Sequence, residues 1–366
     1  MAPGVTGRRR LPAFLGNGYV RAYGLIFVLT IACVAIVQAR LPDTPAPAPI
    51  TVDNAPPRPS VAISLKLPPA SLLKVDFRKL PPVDRDDMSE VVDGQRLPKI
   101  SASGWMPWIA YARRFDPAGP AARVGVLMIN LGADETLTNR AISELPGEVS
   151  LAFLPGAPDL PHWLQLARDR GHECYLMLPV EAPSGPAERG IRPIEGGVDG
   201  PENLQRLRAA MARGEGYVGF VVPGPSVVSR SDLIARPLMK ELADRGLALV
   251  EISPAGVSAM YRLTVELGMG YARSSTVLDY KLAGQGNVDS NLERLADWAS
   301  ERTNEKVARH DFGVLQPDNA AIDAIVAWHQ RLAHQSAVSL VPIIGHFECR
   351  EACMARLRRQ PAQLKP

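Results

Sequence analysis

From Arg123 onward, short apolar runs alternate with amphipathic stretches of helical period, and this alternation restricts the possible folds of the chain more than any other feature. The runs expected as strands are Val124–Asn130, Val149–Leu154, Cys174–Leu178, Tyr217–Val222, Ala248–Ile252, Ser275–Asp279, Phe312–Leu315 and Ser339–Ile343. Between them the spacing predicts helices over Glu135–Glu144, Leu160–Arg170, Asn203–Ala212, Ser231–Arg245, Val257–Leu267, Asn291–Arg302 and Ala320–Ala333. Strands that are apolar throughout are buried on both faces, which argues for a parallel sheet covered by helices. Gly171, Gly246 and Gly268 follow three of the helices, where glycine accepts the left-handed backbone that ends a helix. Seven or eight such units favour an α/β fold of the distorted (β/α) barrel kind over an open sheet. In such a barrel the chemistry sits at the C-terminal ends of the strands.

The chain ahead of this region is different. "GRRRLPAFLGNGYVRAYGLIFVLTIACVAIVQAR" places Arg8, Arg9, Arg10 and Arg21 before an uncharged apolar run from Ala22 to Val37. With Gln38 and Ala39 the run reaches spanning length, Tyr19 and Tyr23 sitting at the interface. The reading is a basic cytoplasmic N-terminus over 1–21 and a single transmembrane anchor over 22–39. That anchor puts the rest of the chain in the periplasm, held on the inner membrane. The alternative is a signal peptide cleaved after Val37-Gln38-Ala39; the bulk of Val37 favours the uncleaved anchor. Residues 40–104 hold many of the 34 prolines and read as a Pro-rich extracytoplasmic linker. A domain over 105–345 and a C-terminal tail over 346–366 complete the organisation.

Composition narrows function mainly by exclusion. Net charge is +3, with 41 basic against 38 acidic residues, and no basic stripe is interleaved with aromatics, so nucleic acid is not an expected partner. There is no CxxC and no Cys/His cluster, which excludes a structural zinc site of that type. Cys349 and Cys353 are four residues apart, so a disulfide between them needs a broken helical turn.

Several segments, taken in order, resemble a known family. They are "LPGEVSLAFLPGAPDL", "ARDRGHECYLMLPVEAP", "GYVGFVVPGPS", "LALVEISPAGVSAM" and "LGMGYARSSTVLDY". In order and spacing they are similar to the divergent polysaccharide deacetylases, a branch of the NodB-like carbohydrate esterases, from about Trp105 to Pro342. The lead-in "PWIAYARRFDP" resembles the approach segment of alphaproteobacterial members. The resemblance implies a NodB-like barrel and a metal-dependent hydrolase. In that chemistry a divalent ion, held by carboxylate and imidazole, polarises an N-acetyl carbonyl and activates a water.

Carried over residue by residue, the expected site is substituted. Ile129 and Asn130 stand where the family has an Asp pair, Met177 where it has a His before Leu-Pro, and Pro223 where its fourth-strand motif has His. Val314 and Gln316 replace the two imidazoles near the seventh strand, and only Glu251 keeps a carboxylate. Ile129, Asn130 and Glu251 are therefore remnant catalytic positions. Asn130, Pro223, Val314 and Gln316 are former ligand positions with no metal expected, unless a rearranged site holds a divalent ion. Scaffold residues persist: Gly132, Pro155, Gly171, Pro179, Ser226 and Asp279.

The expectation is a catalytically inactive family member that binds an envelope polysaccharide or an envelope protein. An active hydrolase rearranged around Asn130, Asp134, Glu181, Glu251 and Asp279 is the first alternative, and a structural envelope scaffold the second. Candidate ligand-binding residues are Asn130, Asp134, Trp163, Glu181, Ser226, Glu251 and Asp279. For Asp134 and Glu135 the simpler role is starting the next helix. Trp163 is balanced between core packing and cleft lining, and burial is the reading for Trp108. Of the six histidines, His310 is expected closest to the rim, and His172 is expected to face a helix C-terminus as a cation.

Overall fold

The alternation is realised strand by strand in the computed structural model, which describes residues 80–115, 122–181, 190–253, 258–280, 287–301, 310–334, 338–349 and 351–358. The expected anchor at 22–39 lies outside these residues. Among the described residues no helix is long and apolar enough to cross a membrane.

A hairpin of β1 (Ser89–Val92) and β2 (Gln95–Pro98) comes first. Its turn is Asp93-Gly94, with both residues at positive φ, as a two-residue hairpin turn requires. The barrel strands follow: β3 (Ala122–Leu131), β4 (Ser150–Phe153), β5 (Cys174–Met177), β6 (Gly219–Pro223), β7 (Ala248–Ile252), β8 (Tyr271–Ser274), β9 (Thr276–Val277), β10 (His310–Leu315) and β11 (Val338–Leu340). All pair in parallel, in the order β8-β7-β6-β5-β4-β3-β10-β9, and β11 lies along the start of β3. Only Ser275 separates β8 from β9, yet β8 pairs with β7 while β9 pairs with β10. One short stretch thus stands at both ends of the sheet path and nearly closes it into a barrel.

The longer helices are α1 (Glu135–Glu144), α2 (Leu160–Asp169), α3 (Gly200–Met211), α4 (Asp232–Asp244), α5 (Ala259–Leu267), α6 (Val288–Ser300), α7 (Asn319–Leu332) and α8 (Glu351–Arg358). Gly171, Gly246 and Gly268 all take positive φ, as their places after α2, α4 and α5 require.

Residue alternation along the strands divides the core in two. Val126, Met128, Leu176, Phe220 and Leu249 pack with helix residues such as Ile142, Leu164 and Leu238. Their neighbours Leu127, Tyr175, Met177, Val221, Val250 and Val314 pack together inside the barrel. Trp108, Tyr111, Ile343, Ile344 and Phe347 join this inner cluster. They close the end at which the strands begin, where Ile343 N donates to Ser150 at the start of β4. The buried carboxylate of Glu173, just ahead of β5, accepts from the backbone of Arg113 and Ile344 and from the hydroxyls of Ser150 and Tyr175.

Three stretches differ from the sequence-based expectation. Of the strand expected at Ser275–Asp279 only Thr276–Val277 forms β9, and β8 (Tyr271–Ser274) lies just ahead of it, where Arg273 and Ser274 interrupt the apolar run while Tyr271 and Ala272 are buried. The strand expected at Ser339–Ile343 stops at Leu340, and Ile343 opens a short 3₁₀ turn after Pro342. Composition assigns residues 80–104 to the linker, yet they carry the hairpin, which docks through Leu97 in the core and through Arg245 to Glu90 and the Pro98 carbonyl. A polar stretch between prolines hides the Asp-Gly turn from a compositional reading. At the other end, Phe347, Cys349 and Cys353 are buried, and Cys349 and Cys353 form a disulfide. Cys349 precedes α8, which supplies the break in helical geometry that the spacing demands.

Candidate functional site

The strands end together at one rim, and the expected site positions are distributed around it. β3 reaches the rim through a bulge. Met128 pairs with Leu151 and Leu131 with Phe153, so β3 spends one residue more than β4 over the same span. Asn130 absorbs the irregularity with φ of 60°, a left-handed backbone that asparagine tolerates better than most side chains. Gly132 follows at φ of 94°; a Cβ there would lie 2.3 Å from Ala157 Cβ, so the β3–α1 turn has no room for a side chain.

The inner face of the rim is hydrocarbon. Met177 at the end of β5 is 3% exposed and Val314 on β10 is 2% exposed. Half-buried Ile129, Leu154 and Ile252 pack against the same inner cluster. Pro223 ends β6, and Gly224 beyond it is pressed on the end of β7, where a Cβ would meet Ile252 O at 2.3 Å. Gln316 is exposed just past β10, and its backbone N–H donates to Asp279 Oδ2 at 3.0 Å.

These residues do not fit a divalent cation. Hard and borderline ions need carboxylate or imidazole, whereas the positions in question offer two amides, a thioether and hydrocarbon. Among the described residues no three His, Cys, Asp or Glu side chains converge in a way that could hold a metal.

The remaining candidates are engaged elsewhere. Glu251 is 0% exposed; it accepts from Ser253 Oγ at 3.0 Å and from Tyr271 Oη at 2.6 Å. Its neighbours Val250 and Ile252 take the inner side, so this acid belongs to the layer between sheet and helices. Tyr271 in turn is held in its neutral form, by burial first and then by the adjacent Glu251. Ser226 is buried in a capping box with Ser229 that starts the short helical turn Val227–Arg230. Asp134 caps α1, accepting from Leu137 N at 2.8 Å, and Glu135 lies in the first turn. Glu181 is exposed on the loop after β5, where its carboxylate accepts from Gly196 N at 3.4 Å. Trp163 is 8% exposed, packs in the outer core and donates from its indole N–H to Pro158 O.

Two histidine expectations need correction. His310 is the first residue of β10 and pairs with Arg123 near the start of β3, at the end of the barrel opposite the rim. An apolar run read without its direction of travel does not tell the two ends apart. His172 is fully buried, its ring nitrogens 2.8 Å from Val149 O and 3.1 Å from Ile142 O. Burial pushes its pKa down, so it does not serve the end of α2 as an exposed cation.

The structure therefore brings Gln316 and Asp279 together on the adjoining ends of β10 and β9, with Asn130 on the end of the neighbouring β3, and commits Asp134 and Ser226 to helix caps and Glu251 to buried bonds. Asp134→Ala is expected to lower stability by about 1 kcal/mol through the lost cap, as urea denaturation would record. A much larger loss would give Asp134 a role beyond the helix.

The sequence profile of the divergent polysaccharide deacetylases matches residues 126–344. The fold is similar to the crystal structure of an uncharacterized protein from Agrobacterium tumefaciens C58, at 25% identity and a TM-score of 0.59, covering 68% of this chain and 98% of that one. A weaker likeness is to a "putative cellobiose-phosphate cleavage protein" from Enterococcus faecalis V583, at 11% identity and a TM-score of 0.41, covering 60% of this chain and 97% of that one. No curated protein matches the sequence.

Proposed function

Because the chain belongs to the divergent polysaccharide deacetylase family but carries hydrocarbon and amide at the positions where metal ligands are expected, we propose that it binds an envelope polysaccharide without deacetylating it. The observation that carries this reading is the inner rim of Ile129, Met177, Pro223 and Val314. Those four positions supply neither a carboxylate base nor a carboxylate or imidazole ligand. Fold alone does not transfer an activity when the groups that perform it are replaced.

Two features support an envelope setting. The basic cluster and apolar run over 8–37 have the form of an exported, membrane-held N-terminus. The Cys349–Cys353 disulfide suits an oxidising compartment such as the periplasm.

The protein, purified without chelators, is expected to carry no stoichiometric zinc, cobalt or nickel by elemental analysis and to release no acetate from N-acetylated glycans. Stoichiometric metal together with acetate release would replace this reading with that of an active, rearranged hydrolase. Binding without turnover should appear as retention on an envelope polysaccharide.

A further inference from the structure

We infer that the Cys349–Cys353 bond is a redox clasp, a thiol–disulfide switch that sets whether α8 is docked at the closed end of the barrel or released from it. The inference is independent of the glycan reading and concerns the opposite end of the domain.

The chain up to Cys349 is held by the core. Phe347 packs on Trp108, with ring centroids 5.6 Å apart. Glu348 then bridges to β8: its N–H donates to Tyr271 O at 2.6 Å, and Tyr271 N donates to Glu348 O at 3.3 Å. Beyond this point the chain turns into α8, which spans only Glu351–Arg358. A helix of two turns does not persist in water by itself, so it stands only while docked. Its backbone lies against the end of α5, where a Cβ on Gly268 would meet the carbonyl carbon of Ala352 at 2.9 Å. Arg356 donates to Leu267 O and Ala243 O, near the C-terminal ends of α5 and α4. A cation suits the negative ends of two helices, but burial opposes its charge and pushes the Arg356 pKa below its usual range. Docking through Arg356 is thus a gain set against a desolvation cost. The disulfide adds a covalent tie, carrying the anchorage of Cys349 onto Cys353 in the first turn of α8. Opening this short ring returns conformational freedom to the turn, which shifts the docking equilibrium on the order of tenfold toward release.

The same packing governs access to the bond. Cys349 is 8% exposed and Cys353 2% exposed. Cys353 lines a small cleft with Tyr261, Met269, Tyr271 and Glu348, which gives an incoming thiolate its approach. The reductant is a dithiol, whether a small molecule or a protein. Its first thiolate attacks Cys353 Sγ and expels Cys349 as a thiolate. Its second thiolate then displaces Cys353 from the mixed disulfide. Two electrons and two protons pass to the cysteines, which become thiols, and the dithiol leaves as a disulfide. The reverse exchange with a disulfide-bearing oxidant closes the clasp.

The full chain, kept under native conditions with and without dithiothreitol, tests the switch by alkylation and hydrogen exchange mapped by mass spectrometry. Cys174, free and fully buried, reports unfolding of the whole domain. Without reductant Cys349 and Cys353 should resist alkylation. With it both should be alkylated while Cys174 stays protected. Amide exchange should then speed up about tenfold at Tyr271, Glu348 and α8 and remain unchanged at β4 and β5. Arg356→Met should leave the bond intact but let dithiothreitol reduce it severalfold faster, because α8 opens more often. Free thiols at Cys349 and Cys353 before reductant overturn the clasp. So does exchange at α8 that reduction leaves unchanged, and so does a reduction rate that Arg356→Met does not alter. Alkylation of Cys174 in step with the other two would make the bond a staple of the whole fold and overturn the switch as well.

Discussion

Arg168→Met is expected to lower the stability of the domain by about 3–5 kcal/mol, a large share of what a domain has. Arg168 is buried near the end of α2. Its Nη1 donates to Tyr111 O at 3.1 Å and to Gly216 O at 2.8 Å, and its Nη2 donates to Pro81 O at 2.5 Å. The guanidinium also lies over the Tyr111 ring, with Cζ 5.0 Å from its centroid. One side chain thus joins the start of the described chain, the lead-in segment and the loop ahead of β6. Methionine fills much of the space but leaves these carbonyls without their donor, and each unsatisfied buried acceptor costs about 1–3 kcal/mol. Lysine keeps the charge but lacks the planar fork, so Arg168→Lys should recover less than half of the loss. Urea denaturation of the three proteins measures both effects. A methionine variant as stable as the wild type would mean that the three segments hold together without Arg168.

The second large effect is on pH dependence. Burial raises the pKa of Glu173 from 4.5 to about 7, against the opposing pull of its hydrogen-bond donors. Between those two values the folded protein holds a proton that the unfolded chain has released. The contribution of Glu173 to stability is therefore complete below about pH 4.5, falls as pH rises and levels off above about pH 7. Two and a half units correspond to about 3 kcal/mol. His172 acts in the opposite direction, because burial lowers its pKa from 6.5, so its contribution falls as pH drops below that value. Glu173→Gln separates the two, since His172 is common to both proteins. The stability of the wild type minus that of the variant should decline between pH 5 and pH 8 by an amount of that order. A flat difference curve would mean that the donors around Glu173 hold it ionised throughout.

Both predictions concern the closed end of the barrel, where sequence reading was weakest. Arg168 resembles any basic residue near a helix C-terminus, and its partners at positions 81, 111 and 216 are brought to it only by folding. The tail "HFECREACMARLRRQ" carried no role in the sequence, yet His346, Phe347, Cys349 and Cys353 are buried. Arg356 on α8 donates to Leu267 O and Ala243 O, near the ends of α5 and α4. These contacts span 89 and 113 residues and leave no periodic trace.

The sequence by itself determined the alternation of strands and helices and the residue types at the strand ends, while closure of the sheet came from the pairing of β8 with β7 and of β9 with β10. Hydrophobic periodicity is local, so α1 and β7 match the expected ranges Glu135–Glu144 and Ala248–Ile252 residue for residue. The hydrocarbon at Ile129, Pro223 and Val314 and the thioether of Met177 were legible as well, because residue type does not depend on the fold and neither group suits a hard or borderline divalent ion. Tertiary structure decided where the remaining polar groups face. It placed Glu251 with Tyr271 and Ser253, and His310 at the far end of its strand. It also tied Gln316 to Asp279 across the ends of β10 and β9. The physical reason is that a side chain's surroundings depend on strand direction, register and the bulge at Asn130, and all three are fixed by pairing between segments far apart in the chain.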